Sequence, residues 1–372
     1  MRPSRVAAAT TLAILIGLGV MGAVGVTDAL AQNGPRRGAW GRADRNAQPA
    51  PDGAGYVSKA PTHQVRTELA EWHDQARSRK IPIKAYIPAG AEPEPGGWPL
   101  VVFSHGGGGS RQGGTYLGEY LASRGYVVIA PQHAGSDIEA VRGSGRGLRK
   151  MRENLLKLAS DERNLIVRPQ DVSFVIDRAL ADGLPGVRID QGRLGVMGHS
   201  FGAYTTMALG GMRVDAGGER DRSFRDARVG ALLALSPQGQ GQFGVDAGAW
   251  DDIDTPVVML TGTKDSGNSP GGSYTWRTEP FKAIKARGGV PAYLGVITGA
   301  GHMAFADETN ALLDGLMGGR DPRFHGWIGQ VALATFDAFL RRDDDARAWL
   351  DAGGITAATG GQVSWETAGT RK

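Results

Sequence analysis

Two serines of the chain lie at the centre of a Gly-x-Ser-x-Gly pentapeptide, a pattern typical of a serine nucleophile on a sharp strand-to-helix turn. Ser200 lies in GHSFG and Ser269 lies in GNSPG. Because the chain contains 58 glycines, the pattern can also arise by chance. The residues on either side of each serine must therefore distinguish a nucleophile from a loop serine.

The flanking residues favour Ser200. The apolar run LGVM precedes its pentapeptide and the helix-like segment FGAYTTMALGG follows it, which is the strand–turn–helix context that such a nucleophile requires. Phe201, the next residue, can donate its backbone N–H to an oxyanion. Ser269 is followed by Pro270, which has no N–H, and by a segment that does not begin a helix. We predict that Ser200 is the nucleophile and Ser269 a loop residue.

A serine needs a general base that is oriented by a third group. In a parallel sheet of this kind the expected order along the chain is serine, acid, histidine. Asp265 follows the apolar run PVVMLTG, and His302 follows the run AYLGVITG. Both loops would lie at the same end of the sheet as Ser200. The sequence therefore predicts a catalytic triad of Ser200, Asp265 and His302.

The other acidic and imidazole side chains fit these roles less well. Three aspartates precede the predicted strand PVVMLTG and would lie at the opposite end of the sheet from Ser200: Asp251, Asp252 and Asp254. Asp307 follows His302 closely and could stabilise its loop instead. Three histidines do not follow the acid along the chain: His105, His133 and His199. We expect the remaining three to be ordinary surface or core residues: His63, His73 and His325.

The second donor of an oxyanion hole is expected in the loop after an earlier strand. The segment VVFSHGGGGS supplies an apolar strand followed by four glycines, which let the backbone approach a substrate closely. We predict that Gly107 donates its N–H, while Gly106 and Gly108 shape the turn. A phosphate-binding loop is excluded at this place because no Gly-x-Gly-x-x-Gly can be drawn through these residues and no Gly-Lys-Ser/Thr follows them. The sequence also lacks a His-Glu-x-x-His metal motif, so we expect no metal and no cofactor.

The segments that would position these residues alternate between two types. Short apolar runs are typical of strands buried on both faces: IPIKAYI, LVVFSH, YVVIAP, RLGVMG, VGALLALS, PVVMLTG and AYLGVITG. Helical patterns lie between them, including GTYLGEYLASR, RPQDVSFVIDRALAD, FGAYTTMALGG and FHGWIGQVALATFDAFLRR. This alternation predicts an α/β fold, with a mostly parallel sheet covered by helices on both faces.

Residues 136–167 interrupt the alternation. They are too many for an ordinary connection, and GLRKMRENLLKLA has apolar residues at helical spacing. This segment is either a small cap insertion or a basic, solvated face. The central part of a cap would be basic, because residues 139–157 hold two acidic residues, Glu139 and Glu153, beside a larger set of basic ones: Arg142, Arg146, Arg149, Lys150, Arg152 and Lys157.

The N-terminus has the pattern of a secretory signal. Arg2 and Arg5 precede a long apolar run that ends in an Ala-x-Ala site, which predicts a signal peptide over residues 1–31 with cleavage after Ala31. An uncleaved membrane anchor is the alternative, because the run is about long enough to span a bilayer. Residues 32–60 are rich in Gly, Pro, Ala and Arg and predict a flexible leader. The catalytic domain is expected over 61–345, followed by a C-terminal tail over 346–372.

Composition narrows the class of protein. The chain has 41% hydrophobic and 22% charged residues, which is typical of a soluble globular protein. Its formal charge of +4 is too small to indicate a nucleic-acid partner. The absence of cysteine excludes a disulfide scaffold, a thiolate nucleophile and a cysteine zinc site. We therefore expect a secreted or periplasmic protein with no stable membrane insertion after signal cleavage.

Three segments resemble bacterial α/β-hydrolases that are grouped with platelet-activating-factor acetylhydrolases and predicted dienelactone hydrolases. They are PLVVFSHGGGGSRQGGTYLGEYLASRGYVVIAPQHAGSD, GHSFGAYT and GAGHMAFAD, and EWHDQARSRKIPIKAYIPAG is similar to the entry hairpin of that group. The resemblance spans about residues 65–340 and implies a serine esterase of the α/β-hydrolase fold without a cofactor. Dienelactone hydrolases use a cysteine, which this chain lacks, and the aromatic cleft of cutinases has no match here.

The expected reaction is hydrolysis of a small-molecule or lipid-like carboxylic ester, with a short acyl group, through an acyl-enzyme. The glycine loop leaves space beside Ser200 but offers no side chain to bind a charged acyl group. A basic cap would favour leaving groups that carry an anion. The alternatives are polyester or lipid acetyl hydrolysis, an amidase or peptidase, and a non-catalytic binding protein on the same fold.

Overall fold

The computed structural model describes residues 60–143, 153–154, 157–158, 161–181, 183–266, 272–307 and 321–369. The predicted signal peptide, the predicted leader up to residue 59 and Ser269 lie outside the described residues. So do four of the six basic residues of the predicted cap, which are Arg146, Arg149, Lys150 and Arg152. Among the described residues, no helix is both long enough and apolar enough to cross a membrane.

Within the described residues, nine strands form one sheet and two form a separate hairpin. The strands are β1 (Gln64–Asp74), β2 (Arg79–Ala89), β3 (Trp98–Ser104), β4 (Val127–Pro131), β5 (Ile189–His199), β6 (Arg213–Ala216), β7 (Glu219–Ser223), β8 (Val229–Leu235), β9 (Val257–Lys264), β10 (Ala292–Gly301) and β11 (Val363–Ala368). The order in the sheet is β1-β2-β4-β3-β5-β8-β9-β10-β11, and β6 pairs with β7. Six neighbouring strands of the sheet are parallel, in the order β4-β3-β5-β8-β9-β10. The remaining strands, β1, β2 and β11, pair antiparallel at the two edges.

Helices cover both faces of this sheet, as the sequence predicts. They are α1 (Thr115–Ala122), α2 (Ile138–Arg142), α3 (Glu162–Leu180), α4 (Phe201–Leu209), α5 (Glu279–Arg287), α6 (Pro322–Phe336), α7 (Asp344–Asp351) and α8 (Gly354–Ala358). Apolar residues of α3, α4 and α5 pack on one face, and those of α1 and α6 pack on the other. Neighbouring residues of β3 alternate between the two cores, because successive strand residues point to opposite faces.

The C-terminal segment corrects the predicted domain boundary at residue 345. Residues 346–369 do not form a separate tail, because β11 pairs antiparallel with β10 and extends the sheet, with Trp365 opposite Gly295. Val363 is buried and belongs to the same core as α6. A strand of six residues behind two short helices gives too weak a pattern to be recognised from sequence.

The carboxyl ends of four neighbouring parallel strands meet at one edge of the sheet. Ser200 follows β5, Ser236 follows β8, Asp265 follows β9 and His302 follows β10. Short turns connect each of these residues to a buried strand, so the rigid sheet fixes their separations. The predicted triad residues are therefore on neighbouring loops.

Candidate active site

Ser200 occupies a strained turn between β5 and α4. Its φ is 55° and its ψ is −116°, a conformation that residues other than glycine rarely adopt. A Cβ at Gly198 would overlap the backbone of Gly202, and a Cβ at Gly202 would overlap the carbonyl of Ser104. Both flanking positions therefore require glycine. The Ser200 N–H donates to the Leu235 carbonyl at 2.9 Å, which ties the turn to β8.

The structure brings the three residues of the predicted triad into one hydrogen-bonded chain. The distance from His302 Nε2 to Ser200 Oγ is 2.9 Å, and that from His302 Nδ1 to Asp265 Oδ1 is also 2.9 Å. An ionised carboxylate only accepts, so Nδ1 carries the proton and Nε2 is free to accept one from the serine hydroxyl. Ser200 is partly exposed, whereas Asp265 is fully buried.

Asp265 is stabilised as an anion by groups that the sequence does not reveal. Arg277 Nε lies 2.8 Å from Asp265 Oδ1, and Thr261 Oγ1 donates to Oδ2 at 3.0 Å. Burial opposes ionisation, but the charges of Arg277 and His302 and the hydrogen bonds of His302 and Ser236 hold the pKa of Asp265 well below its usual range. The carboxylate therefore stays charged and can orient the imidazole across the neutral pH range.

Arg277 and Ser236 complete the surroundings of His302. Ser236 Oγ lies 2.9 Å from His302 Nδ1, and Arg277 donates to the carbonyls of Ser236 and Pro237 at 3.1 Å each. Sequence reasoning missed both residues. Ser236 has a usable signal, because it is a polar residue directly after a buried parallel strand. Arg277 has none, since an isolated arginine is ordinarily exposed.

Two backbone N–H groups are available beside Ser200. Phe201 is the first residue of α4, where the N–H has no partner within the helix. Gly107 donates no backbone hydrogen bond within the described part of the chain. A Cβ placed on Gly107 would lie 3.9 Å from the Phe201 ring, and one on Gly106 would lie 3.6 Å from the Ser200 Cβ. The glycine loop and the start of α4 therefore flank the serine, as an oxyanion hole requires.

The glycine loop is tied down on its other side. Gly108, with φ of 75°, donates to the Ser136 carbonyl at 2.8 Å, and Gly109 donates to the Gly106 carbonyl at 3.1 Å. His105 Nδ1 lies 2.7 Å from the Gly106 carbonyl. Since a carbonyl only accepts, this nitrogen donates. None of these bonds within the described part of the chain uses the Gly107 N–H.

The rival residues have other structural roles. His199 Nε2 donates to the His302 carbonyl at 3.0 Å, and burial holds its pKa well below the usual value, so the ring stays neutral. Asp307 accepts from the N–H groups of Gly114 and Tyr116, and thereby ties the His302 loop to the start of α1. His63 packs edge-on against Trp98, and His325 stacks on Tyr116. His73 is exposed on β1. The three other aspartates precede β9: Asp251, Asp252 and Asp254.

His133 belongs to a second, fully buried chain of hydrogen bonds. Its Nε2 lies 3.0 Å from Ser104 Oγ, and its Nδ1 lies 3.0 Å from Asp171 Oδ2. The His133 N–H also donates to His105 Nε2 at 3.0 Å. This chain lies beneath the glycine loop. Ser104, His133 and Asp171 are each 0% exposed, so the chain supports the loop from inside the fold.

Among the described residues, no group of three or more His, Cys, Asp or Glu side chains could hold a metal ion. The groups that the site brings together are the Ser200 hydroxyl, the His302 imidazole, the Asp265 carboxylate and the N–H groups of Phe201 and Gly107. This set can transfer an acyl group from an ester to serine and then to water. Catalysis without a cofactor stays a prediction.

Comparison with known proteins agrees with this chemistry. The family model described as platelet-activating factor acetylhydrolase, isoform II, matches residues 76–142, which include the glycine loop. The solved structure of a ferulic acid esterase from Streptomyces cinnamoneus is 25% identical, with a TM-score of 0.54, and the match covers 78% of this chain and 94% of that one. No curated protein matches the chain.

A second solved structure is more distant. The putative dienelactone hydrolase from Klebsiella pneumoniae subsp. pneumoniae is 17% identical with a TM-score of 0.49, and the match covers 74% of this chain and all of that one. This similarity is too low to bear on function. The sheet, together with the ferulic acid esterase structure, shows the α/β-hydrolase fold. The family model and that structure agree with a carboxylic ester hydrolase.

Proposed function

We propose that the protein hydrolyses carboxylic esters through an acyl-enzyme on Ser200, with His302 as general base and Asp265 as the group that orients it. The observation that carries this proposal is the continuous chain from Ser200 Oγ through His302 to Asp265, with 2.9 Å at each step, on a strained turn. The N–H groups of Phe201 and Gly107 serve as the oxyanion hole.

The reaction proceeds in two steps. His302 Nε2 takes the hydroxyl proton as Ser200 Oγ attacks the ester carbonyl carbon, and the two N–H groups stabilise the resulting oxyanion. The tetrahedral intermediate expels the alcohol, which takes the proton from His302. Water then attacks the acyl-enzyme with His302 again as base, and the acid leaves with Ser200 restored. The charge of Asp265 stabilises the imidazolium that forms in each step.

The substrate in this proposal is a small-molecule or lipid-like ester with a short acyl group. A Cβ placed on Gly107 would lie 3.5 Å from Leu158 and 3.9 Å from the Phe201 ring, so the side chains next to the proposed oxyanion hole are apolar. Hydroxycinnamoyl esters are the second candidate, because the similar Streptomyces protein is a ferulic acid esterase and Phe201 stacks on Phe243 at 4.6 Å. Rates on aryl esters of increasing acyl length, beside methyl ferulate, separate these candidates.

The basic part of the predicted cap, residues 139–157, is the basis for a preference among leaving groups. Arg142 and Lys157 are among its described residues, and we propose that the segment favours esters whose leaving group carries a phosphate or carboxylate. The KM for such an ester should rise with salt, while the KM for a neutral ester should not. A salt-independent KM for both esters would remove the basic segment from substrate binding.

We also propose that the protein is exported and that its mature form begins at Gln32. The support is the basic start, the apolar run and the Ala-x-Ala site of residues 1–31. Terminal sequencing of the protein recovered outside the cytoplasm tests this. A membrane-bound product that retains Met1 would favour an anchor instead.

The deciding experiment for the catalytic proposal is covalent labelling. A fluorophosphonate should modify the intact protein at one serine, and peptide mapping should identify Ser200. Ser200→Ala should abolish labelling and ester turnover, whereas Ser269→Ala, the matched pentapeptide, should change neither. Paired ester and amide substrates then distinguish an esterase from an amidase. Absence of labelling in a folded protein would favour a non-catalytic binding role.

A further inference from the structure

Arg168 on helix α3 is a fully buried arginine, 0% exposed. Burying a guanidinium is costly unless its donors are satisfied, so its partners are informative. Nε donates to Thr205 Oγ1 at 3.1 Å, Nη1 donates to Ser136 Oγ at 2.8 Å and Nη2 donates to Ser104 Oγ at 3.1 Å. Nη2 also donates to the carbonyl of His105.

These partners lie on the three segments that build the oxyanion hole. Ser104 and His105 begin the loop that carries Gly107. Ser136 holds the same loop through its carbonyl, which accepts from Gly108. Thr205 lies one turn into α4 and donates its hydroxyl to the carbonyl of Phe201 at 3.1 Å. One guanidinium therefore connects the segment of one proposed donor to the segment of the other.

Two further contacts attach α3 to the start of α4. The Arg168 guanidinium carbon lies 4.5 Å from the centroid of the Phe201 ring. Pro169 lacks an N–H and so leaves the Leu165 carbonyl without its helical partner. The Tyr204 hydroxyl donates to that carbonyl at 3.1 Å. The Leu165 carbonyl of α3, which has no partner within its helix, therefore accepts a hydrogen bond from α4.

The charge of Arg168 persists at neutral pH. Burial lowers its pKa to about 9, while the nearby carboxylate of Asp171 opposes that effect. Lysine could not replace it geometrically, because only the planar guanidinium presents donors in a fixed fork. A side chain that bonds three separate segments at once is suited to fixing distances between them.

We propose that Arg168 is a positioning residue that sets the separation and direction of the Gly107 and Phe201 N–H groups in the oxyanion hole. This inference rests on the proposed function, because it concerns the same reaction. Arg168 does not contact substrate. It acts through the backbone that bears the two donors, so its loss should weaken transition-state stabilisation more than substrate binding.

The test compares Arg168→Met and Arg168→Lys with Arg178→Met. Arg178 is on the same helix, but it is exposed and lies outside the 136–167 segment. Active sites are titrated with the fluorophosphonate so that kcat refers only to folded, reactive enzyme. Both Arg168 variants should lower kcat about 10- to 100-fold with KM changed less than about threefold, the size expected when an oxyanion donor is displaced. The control should change neither constant.

A second measurement separates positioning from a general structural role. A phenylboronic acid forms a tetrahedral adduct with a nucleophilic serine and resembles the transition state. Its affinity should fall by the same factor as kcat in the Arg168 variants, and a purely structural role would leave the affinity per active site unchanged. If Arg168→Met does not fold, Thr205→Val and Ser136→Ala each remove one partner and should lower kcat about three- to tenfold.

Unchanged kcat and boronate affinity per titrated site in these variants would overturn the inference. That outcome is distinguishable from failure of the proposed function. In the first case Ser200 is still labelled and required, while in the second Ser200→Ala retains ester turnover. A loss confined to KM would also overturn the inference, because it would assign Arg168 to substrate binding.

Discussion

The described residues contain two serine–histidine–aspartate chains, and their internal distances are nearly the same. Ser200, His302 and Asp265 are joined at 2.9 Å and 2.9 Å, while Ser104, His133 and Asp171 are joined at 3.0 Å and 3.0 Å. An arginine contacts each carboxylate: Arg277 at 2.8 Å from Asp265 and Arg79 at 2.7 Å from Asp171. Hydrogen-bond geometry alone therefore does not separate a catalytic chain from a structural one.

The difference lies in what surrounds each serine. Ser104 is the last residue of β3 and is 0% exposed, and its hydroxyl oxygen accepts from Arg168 while it donates to His133. Ser200 is partly exposed on a turn with positive φ, beside two available N–H groups. A nucleophile thus needs access and a place for the oxyanion, in addition to a base. This difference supports the proposal that catalysis belongs to the chain with Ser200.

The largest expected effect tests the two serines. Ser200→Ala should lower kcat by about 10⁵-fold or more, because triad members act as a unit. Ser104→Ala should keep kcat within about tenfold but destabilise the fold by about 1–3 kcal/mol, since His133 Nε2 loses its buried partner. Ester turnover and urea unfolding of both variants measure this contrast. An inactive, fully stable Ser104→Ala would show that the buried chain takes part in the chemistry.

The two aspartates give the next effect. Asp265→Asn should lower kcat per titrated active site by about 10⁴-fold, because an amide can hold the imidazole in the wrong tautomer. Asp171→Asn leaves Arg79, Arg77 and His133 without their shared anion and should cost about 3 kcal/mol of stability, with a much smaller change in kcat. Steady-state kinetics with site titration, beside thermal unfolding, compare them. Equal losses of kcat would contradict the assignment of the acid.

The placement of the proposed catalytic chain could be predicted from sequence because each member directly follows a strand. Ser200, Asp265 and His302 are fixed by apolar runs, by chain order and by glycines whose positions have steric reasons. Likewise, the alternation of apolar runs and helical patterns predicts the parallel sheet and both helix layers. These signals are local, so one sequence contains them.

The buried supports could not be predicted in this way. Arg168 and Arg277 are polar residues in otherwise ordinary segments, and arginine is ordinarily exposed. Their partners lie far along the chain, such as Ser104, which is 64 residues from Arg168. Strand β11 was not predicted for a related reason, because its pairing with β10 depends on tertiary contact rather than on its own short pattern. Long-range pairing sets these positions, and periodicity does not report it.

A third prediction uses the acid sensitivity of the buried chain. Burial, reinforced by the charge of Arg168, lowers the pKa of His133 to about 4. In the unfolded chain histidine titrates near 6.5, so between about pH 6.5 and 4 the unfolded state binds a proton that the folded state does not. As the pH is lowered from about 6.5 to about 4, the free energy of unfolding should therefore decrease by about 1.4 kcal/mol per pH unit because of this residue. The total loss is about 3 kcal/mol.

Urea unfolding between pH 7 and pH 4.5 measures that slope. His133→Gln should reduce the slope of the unfolding free energy against pH by the contribution of one proton. His73→Gln, at an exposed position of β1, is the matched control and should leave the slope unchanged. Buried His105 and His199 also have lowered pKa values and should keep a residual slope in the variant. An unchanged slope in His133→Gln would mean that His133 is not held neutral by the fold, and would weaken the contrast between the two chains.

The smallest expected effect concerns Asp307, the other carboxylate close to His302 in sequence. Its two oxygens accept from Gly114 at 3.0 Å and from Tyr116 at 3.2 Å, so its contribution is to join the His302 loop to α1. Asp307→Asn keeps one acceptor oxygen and should cost at most about 1 kcal/mol of stability, comparable to a helix cap, with kcat within about twofold. Kinetics and thermal unfolding beside Asp265→Asn measure it. A loss of kcat as large as that of Asp265→Asn would transfer the acid to Asp307, and the hydrogen bond between Asp265 and His302 would then be structural, like that between Asp171 and His133.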